Sequence, residues 1–445
     1  MWAKAQSIEE IHRAMDAYDY EMPIAQIAPA SGDTLFTPLR AKALRAMNRN
    51  AEALKEWNSL LQADSTNTNV LIELAECYKL VGRTSEATPC YEKAVALHPE
   101  NTYFRQQHIR TLLATENYEQ ARDACHAWLD RDSLSATAFK LMGMAYEGMV
   151  SDNPDALTNA FMSYATAYGI DSLDAQTVAH IASIFNNNEQ FQDAVDVTEK
   201  YRLTDTLNID VNRQNAKAYC LLKEYPTAIN RYESLKGMGD KSFTTLYYLG
   251  ISHYADNWMY GAYDNLLLAH KKSPMDVNVL YYLGKSAART SWKKEGVGYI
   301  QEAIEISTPT DSLMARLYDG LVECYRYVNA PYEKIEAMKK LYSYNKKYTL
   351  FYHIAYTYDR QKDYANAVHY YEKYMALVPK DKQLALDDEG KPKPNVETLY
   401  QIAKRRVEKI KAEDFFRNGV HDDYFEPKML NALKAKKDSL DKTKK

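Results

Sequence analysis

An alanine returns every 34 residues along most of this chain. Ala53, Ala87 and Ala121 form one run, Ala160, Ala194, Ala228 and Ala262 a second, and Gly296 keeps the step. A fixed period of this length marks a supersecondary unit that cannot bury its apolar face alone and stacks on copies of itself. For 445 residues it replaces the usual expectation of two or three globular domains, because a stacked array lengthens by adding units. It also makes an extended binding surface the default expectation, ahead of a closed catalytic core.

Composition favours helices as the repeating element. Gly 15 and Pro 14 are few for this length, and a hydrophobic share of 46% is enough for a continuous interior. Formal net charge is -4, Lys+Arg 56 against Asp+Glu 60, which argues against a general nucleic-acid binder. No apolar run approaches the roughly 20 residues that span a bilayer. The cysteines Cys77, Cys90, Cys125, Cys220 and Cys324 are odd in number and form no CxxC pair. They read as packed helix residues, with neither a metal site nor a cofactor implied.

Three stretches show the unit most clearly. Residues 68–101 contain Leu71, Leu74, Ala75, Tyr78, Gly82, Ala87, Tyr91, Ala94 and Pro99. Residues 243–276 contain Leu246, Leu249, Gly250, Ala262, Leu266, Ala269 and Pro274, and residues 348–381 contain Phe351, Ile354, Ala355, Tyr358, Ala367, Tyr371, Tyr374 and Pro379. Together they resemble the tetratricopeptide repeat (TPR) family, over residues 34–381 as about ten units. The resemblance implies an all-α, right-handed superhelical solenoid of stacked antiparallel helix pairs, with capping helices at both ends. Small residues on first helices (Ala75, Gly143, Ala182, Ala216, Gly250, Gly284, Ala355) are expected to face the alanine column. Trp57, Tyr91, Tyr164, Tyr232 and Tyr371 are expected to fill the space toward the next unit, and Pro99, Pro274 and Pro379 to end second helices.

The departures are local. The step from Ala121 to Ala160 is 39 residues, so five residues enter a turn near Val150–Pro154. Ile109 and Cys125 stand at key positions of repeat 102–135. Repeat 315–347 has Val322 and Lys334 in its small-residue columns and extra residues at Ser307–Asp311, and suggests a bend. At the start, 1–33 reads as a leader remnant plus a capping hairpin: a capping box at Ser7-Ile8-Glu9-Glu10, then Ile11, Met15 and Tyr18 at helical spacing, then Pro23 in a second helix. Residues 382–395 read as a linker and 396–414 as a C-terminal capping helix (Val396, Leu399, Ile402, Ala403, Val407, Ile410) with Lys404, Arg405, Lys409 and Lys411 on its polar face. Residues 415–445 read as a lysine-rich tail.

Met1-Trp2-Ala3-Lys4-Ala5-Gln6 resembles the end of a signal peptide, with small residues at the two positions a peptidase reads and Gln after the site. In this it is similar to exported proteins of Bacteroidetes. The expected location is periplasmic or otherwise exported, the alternative being a cytoplasmic protein with a short N-terminal extension.

Catalytic motifs do not emerge. Gly237-Met238-Gly239-Asp240-Lys241-Ser242 has Asp where a phosphate loop needs its second glycine, and reads as an inter-repeat turn. Cys125 and His126 are neighbours on one helix and do not face each other. In TPR proteins the concave face is lined by first helices. Carried over in register, that face is basic in this chain, and in its C-terminal half aromatic. The candidate contacts are Tyr247, Tyr254, Tyr281, Lys285, Arg289, Arg326, Tyr327, Tyr352, Tyr356 and Arg360, with Arg316 among the other cations and Asp319, Glu323 and Asp359 among the acids. Tyrosine and arginine are the residues that most often anchor interfaces. The expected partners are one or more proteins or peptides, those with acidic segments included, with no nucleic acid. The expected function is a non-catalytic scaffold organising an envelope-associated complex; the alternative is a peptide or small-ligand sensor using the same groove. The lysine/asparagine clamp of TPR co-chaperones is not expected, since Met144, Ser183 and Ile251 stand where it wants polar groups.

Overall fold

The computed structural model describes residues 2–29, 33–151, 153–385, 393 and 396–418. Among them every regular element is helical. The chain divides into two units, 1–222 and 223–445. The first holds α1 (Trp2–Asp16), α2 (Glu21–Gln26), α3 (Thr37–Ala46), α4 (Asn50–Ala63), α5 (Thr68–Leu80), α6 (Thr84–Leu97), α7 (Thr102–Ala114), α8 (Tyr118–Leu129), α9 (Ala136–Gly148), α10 (Ala156–Ile170), α11 (Ala175–Asn187), α12 (Phe191–Arg202) and α13 (Ile209–Leu221). The second holds α14 (Tyr225–Gly237), α15 (Phe243–Ala255), α16 (Met259–Lys272), α17 (Val277–Ala288), α18 (Lys293–Ile306), α19 (Asp311–Val328), α20 (Pro331–Asn345), α21 (Thr349–Arg360), α22 (Tyr364–Leu377) and α23 (Leu399–Asn418). Within each unit, successive helices pack side by side as stacked pairs. The all-helical, TPR-like stack expected from the alanine period is therefore what the chain forms.

Two further columns set the helix ends. Asn67, Asn101, Ser135, Asp174, Asn208, Ser242, Asp276 and Thr310 each stand just before a first helix, and each side chain accepts a hydrogen bond from the N–H three residues on. Such a cap typically stabilises a helix by about 1 kcal/mol. The other column closes first helices. Asn48, Gly82, Glu116, Glu189, Lys223, Asn257, Asn329 and Lys362 all adopt positive φ. The next N–H then reaches back five residues, Arg83 to the Tyr78 carbonyl at 2.9 Å, Asn117 to Leu112 at 2.9 Å and Trp258 to His253 at 2.8 Å. This left-handed closure reverses the chain and launches the second helix.

The helices of a pair approach closely. The alanine column is fully buried, with Ala53, Ala87, Ala121, Ala160, Ala194 and Ala262 at 0% exposure. The small first-helix residue, however, lies chiefly under the bulky residue one turn beyond that column. A Cβ added at Gly143 would fall 2.6 Å from the Tyr164 ring, and one at Gly250 2.6 Å from Leu266. Small meets small at Gly284 and Gly296, where a Cβ on Gly296 would lie 2.6 Å from the Gly284 carbonyl oxygen. In repeat 102–135 the volumes are exchanged: the large Ile109 is on the first helix and the small Cys125 on the second, both fully buried in one cluster. Interiors tolerate such volume-conserving exchanges. Tyr164 also donates to Glu147 at 2.7 Å and stacks on His180 of the next pair at 4.8 Å, so one ring ties a repeat to its neighbour.

Pro99, Pro274 and Pro379 lie two residues past α6, α16 and α22. The described residues around the insertion, 149–151 and 153–155, lie between α9 and α10. In repeat 315–347 a regular helix pair, α19 and α20, persists around Val322 and Lys334.

At the N-terminus, the buried Arg40 bonds Glu56 at 3.0 Å and the Ile27 carbonyl at 3.0 Å, and also reaches the Ile24 carbonyl, fastening the α1–α2 hairpin to the first repeat. Ser7 does not cap a helix. α1 already begins at Trp2, because the Ala, Lys and Gln residues before Ser7 favour helix. At the other end α23 buries Ala403, Val407 and Ile410 on the last repeat, whereas Val396 and Leu399 are exposed. Most of the 382–395 segment and residues 419–445 of the tail lie outside the described residues.

Two glycines on α18 give a direct test of close approach. Gly298 has no neighbour within 4 Å of an added Cβ, while Gly296 meets backbone at 2.6 and 2.7 Å. Gly298→Ala is expected to raise stability by about 0.5–1 kcal/mol, and Gly296→Ala to lower it, as measured by urea unfolding. A second test concerns pH. His253 on α15 is fully buried, meets the Trp258 edge at 4.4 Å, and Glu233 stands 3.6 Å away, beyond hydrogen-bond reach. Burial pushes its pKa below the ordinary value, with Glu233 opposing. The folded state therefore binds the proton less readily than the unfolded chain. The resulting stability is present above about pH 6.5 and is lost as pH falls below it. Unfolding at pH 7.5 and 5.5 is expected to show a larger loss in the wild type than in His253→Leu.

Candidate functional site

The first helices of the second unit gather cations and tyrosine rings on one face. α15 presents Tyr247 and Tyr254, α17 presents Tyr281, Tyr282, Lys285 and Arg289, and α19 presents Arg316 and Glu323. Lys285 is the centre. Its Nζ pairs with Glu323 at 2.9 Å, donates to the Tyr281 hydroxyl at 3.4 Å, and lies 5.2 and 5.6 Å from the Tyr281 and Tyr254 ring centroids. Burial works against its charge, but Glu323 and the two tyrosines outweigh it, and the ammonium pKa is raised. Lys285 stays protonated at any working pH and is spent on internal pairing.

Two arginines flank this centre. Arg316 lies 4.5 Å from the Tyr281 centroid and donates to Asn278 at 2.6 Å. Arg289 lies 6.0 Å from the Tyr254 centroid and donates to Asn257 at 2.9 Å. Asparagine positions each guanidinium without neutralising it. Among the described residues neither arginine has a carboxylate within ion-pair distance. Tyr254 and Tyr282 meet edge to face at 5.3 Å, and Tyr281 and Tyr282 at 5.1 Å, which ties the rings into one layer. Tyr281 is 7% exposed, and a Cβ on Gly320 would lie 2.7 Å from its ring. It is a floor residue that holds the cations, more than a contact in its own right.

The remaining candidates divide. Tyr247 is half-buried and stacked on Phe243 at 5.6 Å, and burial raises its pKa. Arg326 folds over the neighbouring Tyr327, 4.9 Å from its centroid and 3.2 Å from its hydroxyl. Tyr352 packs edge-on against Tyr371 and Tyr374 of α22 at 5.6 and 5.5 Å, inside the last repeat. Tyr356 and Arg360 are exposed on α21. Their acidic neighbour Asp359 accepts two 2.7 Å hydrogen bonds from Arg406 of α23. A cavity of about 440 Å³, lined by Asp319, Glu323, Arg326, Lys334 and His353 among others, lies between the α19 and α21 candidates. Lys334, the residue that breaks the small-residue column, opens onto it, and burial lowers the pKa of its amine.

Sequence reasoning missed Tyr282, Asn257 and Asn278. Asn257 is the left-handed turn residue and Asn278 follows the Asp276 cap by two. Asn257 keeps the 34-residue step with Glu189 and Lys223, so the period was a signal for its position though not for its residue type, and Asn278 carried none.

Comparison with known proteins follows the same repeat. Residues 34–128 match the family model for the N-terminal TPR repeats region of Psidin, and residues 348–381 match the tetratricopeptide repeat model. A probable UDP-N-acetylglucosamine–peptide N-acetylglucosaminyltransferase SPINDLY of Hordeum vulgare is 25% identical over 172 residues, 37% of this chain. The chain spans only 18% of that protein's length. Among solved structures, YrrB, a TPR protein with an unusual peptide-binding site, is 16% identical, with 45% of this chain and 97% of that one covered at a TM-score of 0.38. The human IFIT1 dimer with PPP-AAAA is 14% identical, with 81% and 95% covered at 0.40. Tetratricopeptide repeats are thus recognisable near both ends of the sequence, and stacked helix pairs of that type are the fold.

Proposed function

We propose that this chain is a non-catalytic, protein-binding scaffold whose α15–α17–α19 face grips an acidic peptide segment. The observation that carries the reading is the pair Arg289 and Arg316. Each is held beside a tyrosine ring by an asparagine, and each has no carboxylate within ion-pair distance among the described residues. A guanidinium already oriented loses less freedom on binding, and it forms two parallel hydrogen bonds with a carboxylate. The tyrosine layer adds apolar area with a polar edge, as interface anchors do. Lys285 and Glu323 cancel, so the arginines set the sign of the face.

The thiols in particular are not available as nucleophiles. All five cysteines are buried, and burial pushes the Cys125 and Cys324 thiols up to about 12, where no reactive thiolate forms. The scaffold serves an envelope-associated complex on the exported side of the membrane, a reading that rests on the leader-like Met1–Gln6.

An array of acidic peptides and their lysine-substituted counterparts tests the site. Binding is expected only for the acidic set, weakening as salt is raised, and falling at least tenfold in the Arg289→Ala/Arg316→Ala double variant with helicity unchanged. Equal binding by the double variant overturns the placement. For location, intact mass of the protein from its native source is expected to show an N-terminus at Gln6; retention of Met1 or a start at Trp2 overturns export.

A further inference from the structure

A second site is built into the first unit, and it does not rest on the reading of α15, α17 and α19. A cavity of about 440 Å³ opens between α6, α7 and α8. Its walls are Val95, Ile109, Ala124, Ala127 and the indole of Trp128. The volume lies within the range of sites for small organic ligands. Apolar walls of this kind have no use for a fully hydrated inorganic ion.

The charged groups that line the cavity are both cations. Arg105, near the start of α7, is 8% exposed, and its side chain lines the space. Its guanidinium donates to the Pro99 carbonyl and lies 5.9 Å from the Trp128 ring. Asp132 and Glu100 act on its charge only from a distance; both are exposed, and neither comes within ion-pair distance of it. Burial lowers the pKa of Arg105, with Arg131 adding to the shift. Arg131, exposed just past α8, supplies a second cation at the rim. His108, one turn after Arg105, completes the lining, and burial lowers its pKa, so it enters as a neutral donor or acceptor. A covered cation that meets one carbonyl and no carboxylate is costly to the chain alone, and an anion bound there relieves that cost.

We propose that this cavity binds a small amphipathic carboxylate, with the carboxylate on Arg105 toward Arg131 and the apolar body against Trp128, Ile109 and Val95. A planar guanidinium offers two parallel N–H donors to such a group, and the indole face offers a flat apolar wall.

Calorimetric titration of the full chain with 4-phenylbutyrate tests this, with the neutral 4-phenylbutyramide and inorganic phosphate as comparison ligands. The acid is expected to bind with a Kd of about 1 mM or tighter, and the amide and phosphate at least tenfold more weakly. Arg105→Gln is expected to lose at least tenfold in affinity. Ala127→Phe, at an exposed helical position in the cavity lining, adds a ring to that wall while leaving Arg105 in the sequence, and is expected to abolish binding, which keeps the test decisive if Arg105→Gln folds poorly. Amide binding equal to that of the acid, phosphate binding equal to that of the acid, unchanged affinity in Ala127→Phe, or no saturable binding of 4-phenylbutyrate up to about 10 mM each overturns the proposal.

Discussion

The contact on which the rest depends is the close crossing of the two helices in each pair. They approach until a single carbon decides whether they fit: an added Cβ would fall 2.6 Å from the Tyr164 ring at Gly143, from the Leu266 side chain at Gly250 and from the Gly284 carbonyl oxygen at Gly296. Within a unit, first helices then meet as well, α11 with α13 and α17 with α19 among them. Polar pairs then stitch successive first helices, Lys79 to Gln107 at 3.3 Å and Asn186 to Gln214 at 3.2 Å, each spanning 28 positions. The cation and tyrosine layer of α15, α17 and α19 is a more elaborate case of the same stitching. Its geometry is a by-product of packing that occurs elsewhere on the same helices.

Much of this was legible in the sequence because burial at a crossing is severe. Ala87 or Ala262 cannot be replaced by a long side chain without overpacking, so the column stays small and the period shows. The helix-closing turns are different. Left-handed backbone costs a non-glycine residue about 1–2 kcal/mol, yet Glu116, Glu189 and Lys362 adopt it. The turns that close first helices hold Asn, Gly, Glu or Lys in the same role, and no shared residue type announces them. The cap column was more accessible, since Asn67, Asn101, Ser135 and Asp174 are all good caps at the right spacing.

The candidate site was legible as a list and not as a set of partnerships. Register on the first helices located Tyr254, Lys285 and Arg289 on one face. It could not show that Lys285 is consumed by Glu323 on the next first helix, that Asp359 is claimed by Arg406 from α23, or that Tyr352 turns into its own repeat. Each outcome depends on which side chain of the neighbouring helix is within reach. The charge count of a face therefore overstates what it offers a partner.

The buried thiols have a consequence of another kind. Cys77, Cys90, Cys125, Cys220 and Cys324 lie in five different helices distributed along the stack, and none is accessible in the folded chain. In a stacked array, local opening need not be global, because each element depends mainly on its neighbours. A thiol reagent can then reach each sulfur only when the helix pair around it opens. The chain therefore contains its own set of spatially resolved reporters of fraying, from the second repeat onward, with no label added.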